Sequence, residues 1–166
     1  MVIDTFEDYQ YHEVDTYNLI SIGRRWFGDK FDVNTNKKFE FDFPNIITAE
    51  PVNLEVVVAT ASQSPSLMAI KANGALLETL SIGGSISPTY GKDARSNKTI
   101  NVNSSKITVD LTFDNQGDPS TIGYLDYVSI EATRALNFTN KQFEFKNSDV
   151  ASASGIGQYN IANTSQ

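Results

Sequence analysis

The sequence contains no cysteine, and that absence removes three kinds of chemistry at once. There is no disulfide framework, no thiolate metal site and no cysteine nucleophile. Compartment stays open, because a reducing cytosol and the bacterial envelope both hold many cysteine-free proteins. Histidine is nearly as scarce: His12 is the only one, so Cys–His dyads are excluded and a Ser-His-Asp triad has a single candidate base. His12 lies in an acidic N-terminal segment and reads as a surface residue. Long hydrophobic runs are missing as well. No stretch approaches the ~18 apolar residues of a spanning helix, and no charged-then-apolar leader follows Met1. The expectation is a chain that neither spans a membrane nor is, as given, a secretory precursor; an internal piece of a longer exported protein would look the same. Basic runs are also absent, with 13 Lys and Arg scattered against 20 Asp and Glu for a net charge of −7. That balance argues against nucleic acid as a partner. No HExxH, Walker-type, GxSxG or CxxC spacing occurs.

What is present is a succession of short alternating segments. No apolar stripe of helical period extends over three turns, whereas strand patterns return every ten residues or so. Phe39, Phe41 and Phe43 alternate with Glu40 and Asp42, and Pro44 ends that strand or places it at an edge. Ile107, Val109, Leu111 and Phe113 fall on one face of a second strand, opposite Lys106, Thr108, Asp110 and Thr112. Tyr9 and Tyr11 share a face of an N-terminal edge strand. In the β-branched run from Val52 to Ala61, Val57 and Ala59 occupy the second face, which predicts cover on both sides. Asn73-Gly74 is the strongest hairpin signal. Gly83 to Lys98 reads as a long surface loop, and Arg134–Phe138, Lys141–Lys146 and Ile156–Ala162 each read as one more short strand. The pattern predicts an all-β fold of a single domain over residues 1–166, a sandwich or a barrel; of the two, the expectation adopted is a jelly-roll-like antiparallel β-sandwich.

Candidate sites are few. Asp114, Asn115 and Asp118 supply the oxygen ligands that Ca²⁺ takes, although the same residues are what any turn uses; no other cofactor is suggested. Trp26, Tyr90 and Tyr124, with Phe27, could form an aromatic platform for sugar rings, against the plainer reading that aromatic residues fill the core. Asp126 shares the parity of Val128, Ile130 and Ala132, an apolar face on which an unpaired carboxylate is costly. It is expected at the rim of the sandwich, held by backbone N–H groups or by Arg24 or Arg25.

The segment GRRWFGDKF (23–31), read in order with FPNIITAEPVNLEVVVATAS (43–62), the isolated ANG (72–74), STIGYLDYVSIEATRAL (120–136) and KQFEFKN (141–147), resembles a known family. It is similar to the β-sandwich region that precedes the gingipain-type cysteine peptidase domain in PorU-type sortases of the type IX secretion system of Bacteroidetes. The likeness runs over about residues 14–162. It implies a non-catalytic module of an exported protein associated with the cell surface or outer membrane. The implied partners are the downstream peptidase domain of its own chain, secreted cargo, or other components of the secretion machinery. In such a parent protein the activity would be removal of a C-terminal signal domain from cargo and its linkage to an anionic lipopolysaccharide. The family's catalytic His and Cys have no counterparts here, since cysteine is absent and His12 lies upstream of the likeness. A carbohydrate-binding module and a plain structural spacer are the alternatives.

Overall fold

The computed structural model describes residues 1–19, 25–85, 91–138, 142–152, 154 and 156–163. Its strands are β1 (Val2–Ile3), β2 (Thr5–Glu13), β3 (Gly28–Phe31), β4 (Asn36–Asp42), β5 (Val52–Ala61), β6 (Ser66–Ala72), β7 (Ala75–Ile82), β8 (Lys92–Ile100), β9 (Lys106–Asp114), β10 (Ile122–Ala135) and β11 (Gln158–Tyr159); the one helix among these residues is α1 (Ser148–Ser152).

The pairing is nested. β6 pairs with β7 across the Asn73-Gly74 turn, β5 with β8, β4 with β9, and β3 with β10, all antiparallel. The chain therefore behaves as one long hairpin whose arms are folded alternately into two sheets, ordered β2-β10-β5-β8 and β4-β9-β6-β7, with β3 also paired to β10. That order is a jelly roll, which settles the choice between sandwich and barrel in favour of the sandwich. At the tip of the hairpin, Asn73 and Gly74 have φ of 47° and 83°, the pair of left-handed residues that a type I′ turn requires. Asn73 also accepts the Thr108 amide through Oδ1 at 2.9 Å, tying the tip to β9.

The core lies between the sheets. Phe39, Phe41 and Phe43 meet Ile107, Val109, Leu111 and Phe113 from one sheet and Leu54, Val56, Val58, Val128 and Ile130 from the other. Each such side chain, fully buried, stabilises by about 1.5–3 kcal/mol, so the alternation in β4 and β9 fixes their faces. The two edges of each sheet are closed by polar contacts with the opposite sheet. On one side Gln10 Nε2 donates to the Asp42 carbonyl at 2.7 Å, and His12 packs on Phe39 with ring centres 4.6 Å apart. On the other side Glu78 of β7 accepts from Ser96 Oγ at 2.5 Å and pairs with Lys98 at 3.1 Å.

Three sequence readings are corrected. The expected loop from Gly83 to Lys98 contains most of β8, an edge strand paired with β5 from Lys92 to Ile100. Its inward positions are Ala94, Ser96 and Lys98, too small or too polar to give an apolar alternation. Of the strand expected at Arg134–Phe138 only Arg134 and Ala135 are strand, as the end of β10, and Asn137 makes a single bridge to Ala162. The strands expected at Lys141–Lys146 and Ile156–Ala162 shrink to single bridges, Glu7 to Lys146 and Asn137 to Ala162, and to the two-residue β11, parallel to β1. Between them Asn147 caps α1, its Oδ1 accepting the Asp149 and Val150 amides at 3.1 and 3.3 Å.

Candidate functional site

The outward face of the sheet β2-β10-β5-β8 is divided into two halves by one residue. Along β10 the partners on β5 run Tyr124 to Ala59, Leu125 to Val58, then Tyr127 to Val57, so Asp126 is an extra residue, a β-bulge. The bulge resets the parity. Leu125 and Val128 both face the core, while Tyr124 and Tyr127 both face outward. This removes the difficulty of a carboxylate on the parity of Val128: Asp126 stands outside the alternation and meets Arg25, which also pairs with Asp93 on the outward side.

The half that contains Tyr124 is covered. The chain before β3 folds over it, with Tyr17 and Phe27 bridged by backbone hydrogen bonds of 2.7 and 2.9 Å. Phe27, Ala59 and Tyr124 form a second small core there, packed by Leu19, Ala61 and Ile122. The small outward residue Ala59 of β5 leaves room for this cover. Gly28 is buried where the chain crosses, and a Cβ there would collide with the Val14 carbonyl. Arg25 fastens the cover from above. It donates to Asp126 at 3.1 Å, pairs with Asp93 of β8 at 3.4 Å and lies over the Phe27 ring at 5.1 Å. Burial works against the Arg25 charge, yet the hydrogen bonds with Asp126 and Asp93 outweigh it and raise the guanidinium pKa. Asp93 responds in the opposite sense: burial would raise its pKa, but Arg25 holds it below the ordinary carboxylate value.

The other half is open and polar, and the strand register lays it out in rows. Across β2, β10, β5 and β8 the row next to the boundary reads Glu13, Tyr127, Val57, Arg95. The next reads Tyr11, Ser129, Glu55, Asn97, and the third Tyr9, Glu131, Asn53, Thr99. Tyr9 and Tyr11 are 57% and 63% exposed, with ring centres 6.0 Å apart along β2. Glu55 pairs with Arg95 at 3.0 Å and neighbours Tyr127. Burial first, and then the Glu55 carboxylate, raise the Tyr127 pKa. Thr99 donates to Asn53 Oδ1 at 3.2 Å. A groove of about 300 Å³ runs over the second and third rows, floored by Ser129, Glu131, Asn53, Leu54 and Glu55, with Tyr9 on one bank and Asn97, Lys98 and Thr99 on the other; Tyr9 also borders a smaller hollow of about 220 Å³ lined by Tyr11, Glu13 and Tyr127.

The residues singled out in the sequence are distributed differently. Arg25 meets Asp126, whereas Arg24 and Tyr90 lie outside the described residues. Trp26, on the cover, is 44% exposed, but Tyr124 is only 7% exposed, enclosed by Phe27 and Tyr17 with ring centres 6.1 and 5.6 Å away. Tyr124 is therefore part of a core and offers no stacking face, as in the plainer of the two sequence readings and not as in the aromatic platform. Asp114, Asn115 and Asp118 turn their oxygens inward on their own loop: they accept the amides of Gln116, Gly117 and Ser120 at 2.8, 3.1 and 3.0 Å. The Ser120 and Ser64 hydroxyls, with the Ser120 amide, push Asp118 down to about 2. Among the described residues no group of three or more His, Asp or Glu side chains is arranged to hold a metal ion. His12 Nε2 contacts Asp29 at 2.5 Å, and Lys37 approaches the same carboxylate at 3.2 Å. Asp29 is itself a bulged residue, skipped between Lys30 and Gly28 in the β3–β10 register, with φ of 35°. The two bulged acids thus bind three positive or protonatable partners between them, His12 and Lys37 at Asp29 and Arg25 at Asp126.

The open rows were not visible as a site in the sequence. Tyr9 and Tyr11 could be put on a common face, but Tyr127, Glu55, Asn53 and Asn97 join them only through long-range register.

The described residues define a jelly-roll β-sandwich with one covered and one open half-face. No protein-family model matches the sequence, and no curated protein matches it. Among solved structures it is similar to dimeric latent PorU from Porphyromonas gingivalis, with a TM-score of 0.71 and 17% identity, covering 87% of this chain and 14% of that one. The likeness is one of fold, and the chain spans a small fraction of that protein. Looser likenesses include the CBM36-1 domain of a multidomain xylanase from the hindgut metagenome of Trinervitermes trinervoides, at TM-score 0.47 and 16% identity over 75% of this chain and 95% of that one. A carbohydrate-binding module CBM36 in complex with calcium and xylotriose superposes at TM-score 0.46 and 13% identity, over 77% of this chain and 99% of that one. Neither of these two is close enough to carry a functional argument. No helix among the described residues is long and apolar enough to cross a membrane.

Proposed function

We propose that the chain is a non-catalytic accessory module of an exported, cell-surface protein of the PorU type, one that helps to place secreted cargo or a downstream cysteine peptidase domain. The observation that carries the reading is the superposition of 87% of the chain on part of PorU, in agreement with the ordered sequence likeness from GRRWFGDKF to KQFEFKN. The chain's own chemistry suits a supporting part. It has no cysteine, and its single histidine is engaged with Asp29 and Phe39. The test is deletion of this module from the full-length protein in its own cells, with the remainder of that protein intact. The expected result is secreted cargo that keeps its C-terminal signal domain; normal removal of that domain would overturn the reading.

A second reading, a carbohydrate-binding module, is favoured by one observation. Exposed Tyr9 borders a floor of amides, hydroxyls and carboxylates on the open half-face, and exposed Tyr11 lines the hollow that adjoins it.

A further inference from the structure

We infer that the open half-face, from Tyr9 and Tyr11 of β2 across to Asn97 and Thr99 of β8, is a binding groove for an uncharged polysaccharide chain. The inference rests on the carbohydrate-binding reading and is independent of the peptidase-module reading.

The first argument concerns what the face lacks. A protein-binding surface concentrates apolar side chains at its centre and keeps charge at the rim. Here the order is reversed. The only aliphatic residue in the three rows is Val57, which is fully buried, and the centre is Ser129, Glu55, Glu131 and Asn53. Such a centre would leave desolvated carboxylates against a protein partner, at considerable cost. Against a ligand made of hydroxyl groups, the same carboxylates and amides all find donors and acceptors, and charge-assisted hydrogen bonds of this kind are the stronger ones.

The second argument is preorganisation. Glu55 is already held by Arg95 at 3.0 Å, which reduces the cost of ordering it on binding. Tyr9 and Tyr11 present ring faces and hydroxyl edges together, the amphipathic combination that a sugar ring, apolar on its C–H face and polar at its rim, requires. Their spacing of 6.0 Å sets two stacking positions side by side along the strand. The groove, at about 300 Å³, is at the small end of the range for ligand pockets.

The third argument selects the charge of the sugar. Glu13, Glu55 and Glu131 face this half; Arg95, the only cation in its rows, is already paired with Glu55, and Lys98, which also lines the groove, is paired with Glu78 at 3.1 Å. With the chain at −7 overall, acidic and sulfated polysaccharides are repelled, which leaves uncharged chains.

The experiment is affinity electrophoresis of the 166-residue chain through gels containing arabinoxylan, mixed-linkage glucan, galactomannan or dextran, with polygalacturonate and heparin as acidic counterparts. Calorimetric titration then follows for any polymer that retards it. At least one uncharged polymer should retard the chain, and neither acidic one should. Tyr9→Ala/Tyr11→Ala should weaken binding by about tenfold or more in Kd, the loss of two stacking rings. Glu55→Gln should weaken it with the fold undisturbed, which supplies a second variant should the tyrosine pair fail to fold. Trp26→Ala, on the covered half, should bind normally. Binding that survives the tyrosine and Glu55 variants but fails in Trp26→Ala would keep the sugar-binding reading and overturn the groove. Preference for an acidic polymer would overturn the groove as well. No retardation by any polymer would overturn both the groove and the sugar-binding reading; in that case a cargo-processing defect of Tyr9→Ala/Tyr11→Ala in the full-length protein would mark the face as a protein contact.

Discussion

The covered and open halves of the outward sheet face are built from the same strands, β5 and β10, yet they have opposite character. On the covered side β5 turns out Ala59 and Ala61 and β10 turns out Ile122 and Tyr124, and the chain around Leu19 and Phe27 buries them. On the open side the same strands turn out Asn53 and Glu55, Ser129 and Glu131. Between the halves lies the bulged Asp126, paired with the Arg25 of the cover. Small apolar residues on the outer face therefore recruit a covering segment, and polar ones leave the face available. The comparison separates the part of the face that serves stability from the part that is free to serve recognition.

The largest effect is expected on the covered half. Phe27→Ala removes the central ring of the second core, and a loss of about 3 kcal/mol or more is expected for so buried a phenylalanine. A urea midpoint that falls accordingly at unchanged slope would show it; a shift of only a few tenths would mean that the cover contributes little. Next in size is the clasp. Asp126→Ala leaves Arg25 with Asp93 alone, and because the Arg25 side chain is half exposed the cost should be about 1 kcal/mol or less. The same urea titration measures it, and combination with Phe27→Ala should be non-additive because both act on one segment.

A smaller effect follows from acid. The folded-state pKa of Asp93 is depressed by Arg25, so its contribution is fully present above the unfolded value of about 3.9 and is lost as pH falls through the lower, folded value. Trp26, next to Arg25 on the cover, is the reporter. Its fluorescence should change as pH is lowered below about 4, and Asp93→Asn should already show part of that change at neutral pH. An identical acid profile in the two proteins would mean that the pair does not hold the cover.

Much of this architecture can be read from the sequence, and the exceptions have physical causes. Phe39, Phe41 and Phe43, and Ile107 to Phe113, alternate because one face is buried and the other wet, and period-2 patterning reports that directly. Asn73-Gly74 announces its own turn. β8 escapes because an edge strand whose inward positions are Ala94 and Ser96 has the composition of a loop. Asp126 misleads because parity counting assumes a regular strand, and a bulge adds a residue with no partner. For Tyr124 the sequence leaves platform and core both open, because nothing local says that the chain around Phe27 returns to cover it. The open rows are less legible still: Tyr11, Ser129, Glu55 and Asn97 are far apart in sequence, and only the register of four strands aligns them.

The smallest expected stability change gives the most direct test that the open half is free of structural duty. In Tyr9→Ser/Tyr11→Ser both rings, more than half exposed in the folded chain, are replaced by side chains that leave the β2–β10 pairing intact. The urea midpoint should then correspond to a change within about 0.5 kcal/mol, as for surface positions without buried partners. A loss comparable to that of Phe27→Ala would contradict the division of the face, because the tyrosines would then belong to the core of the fold.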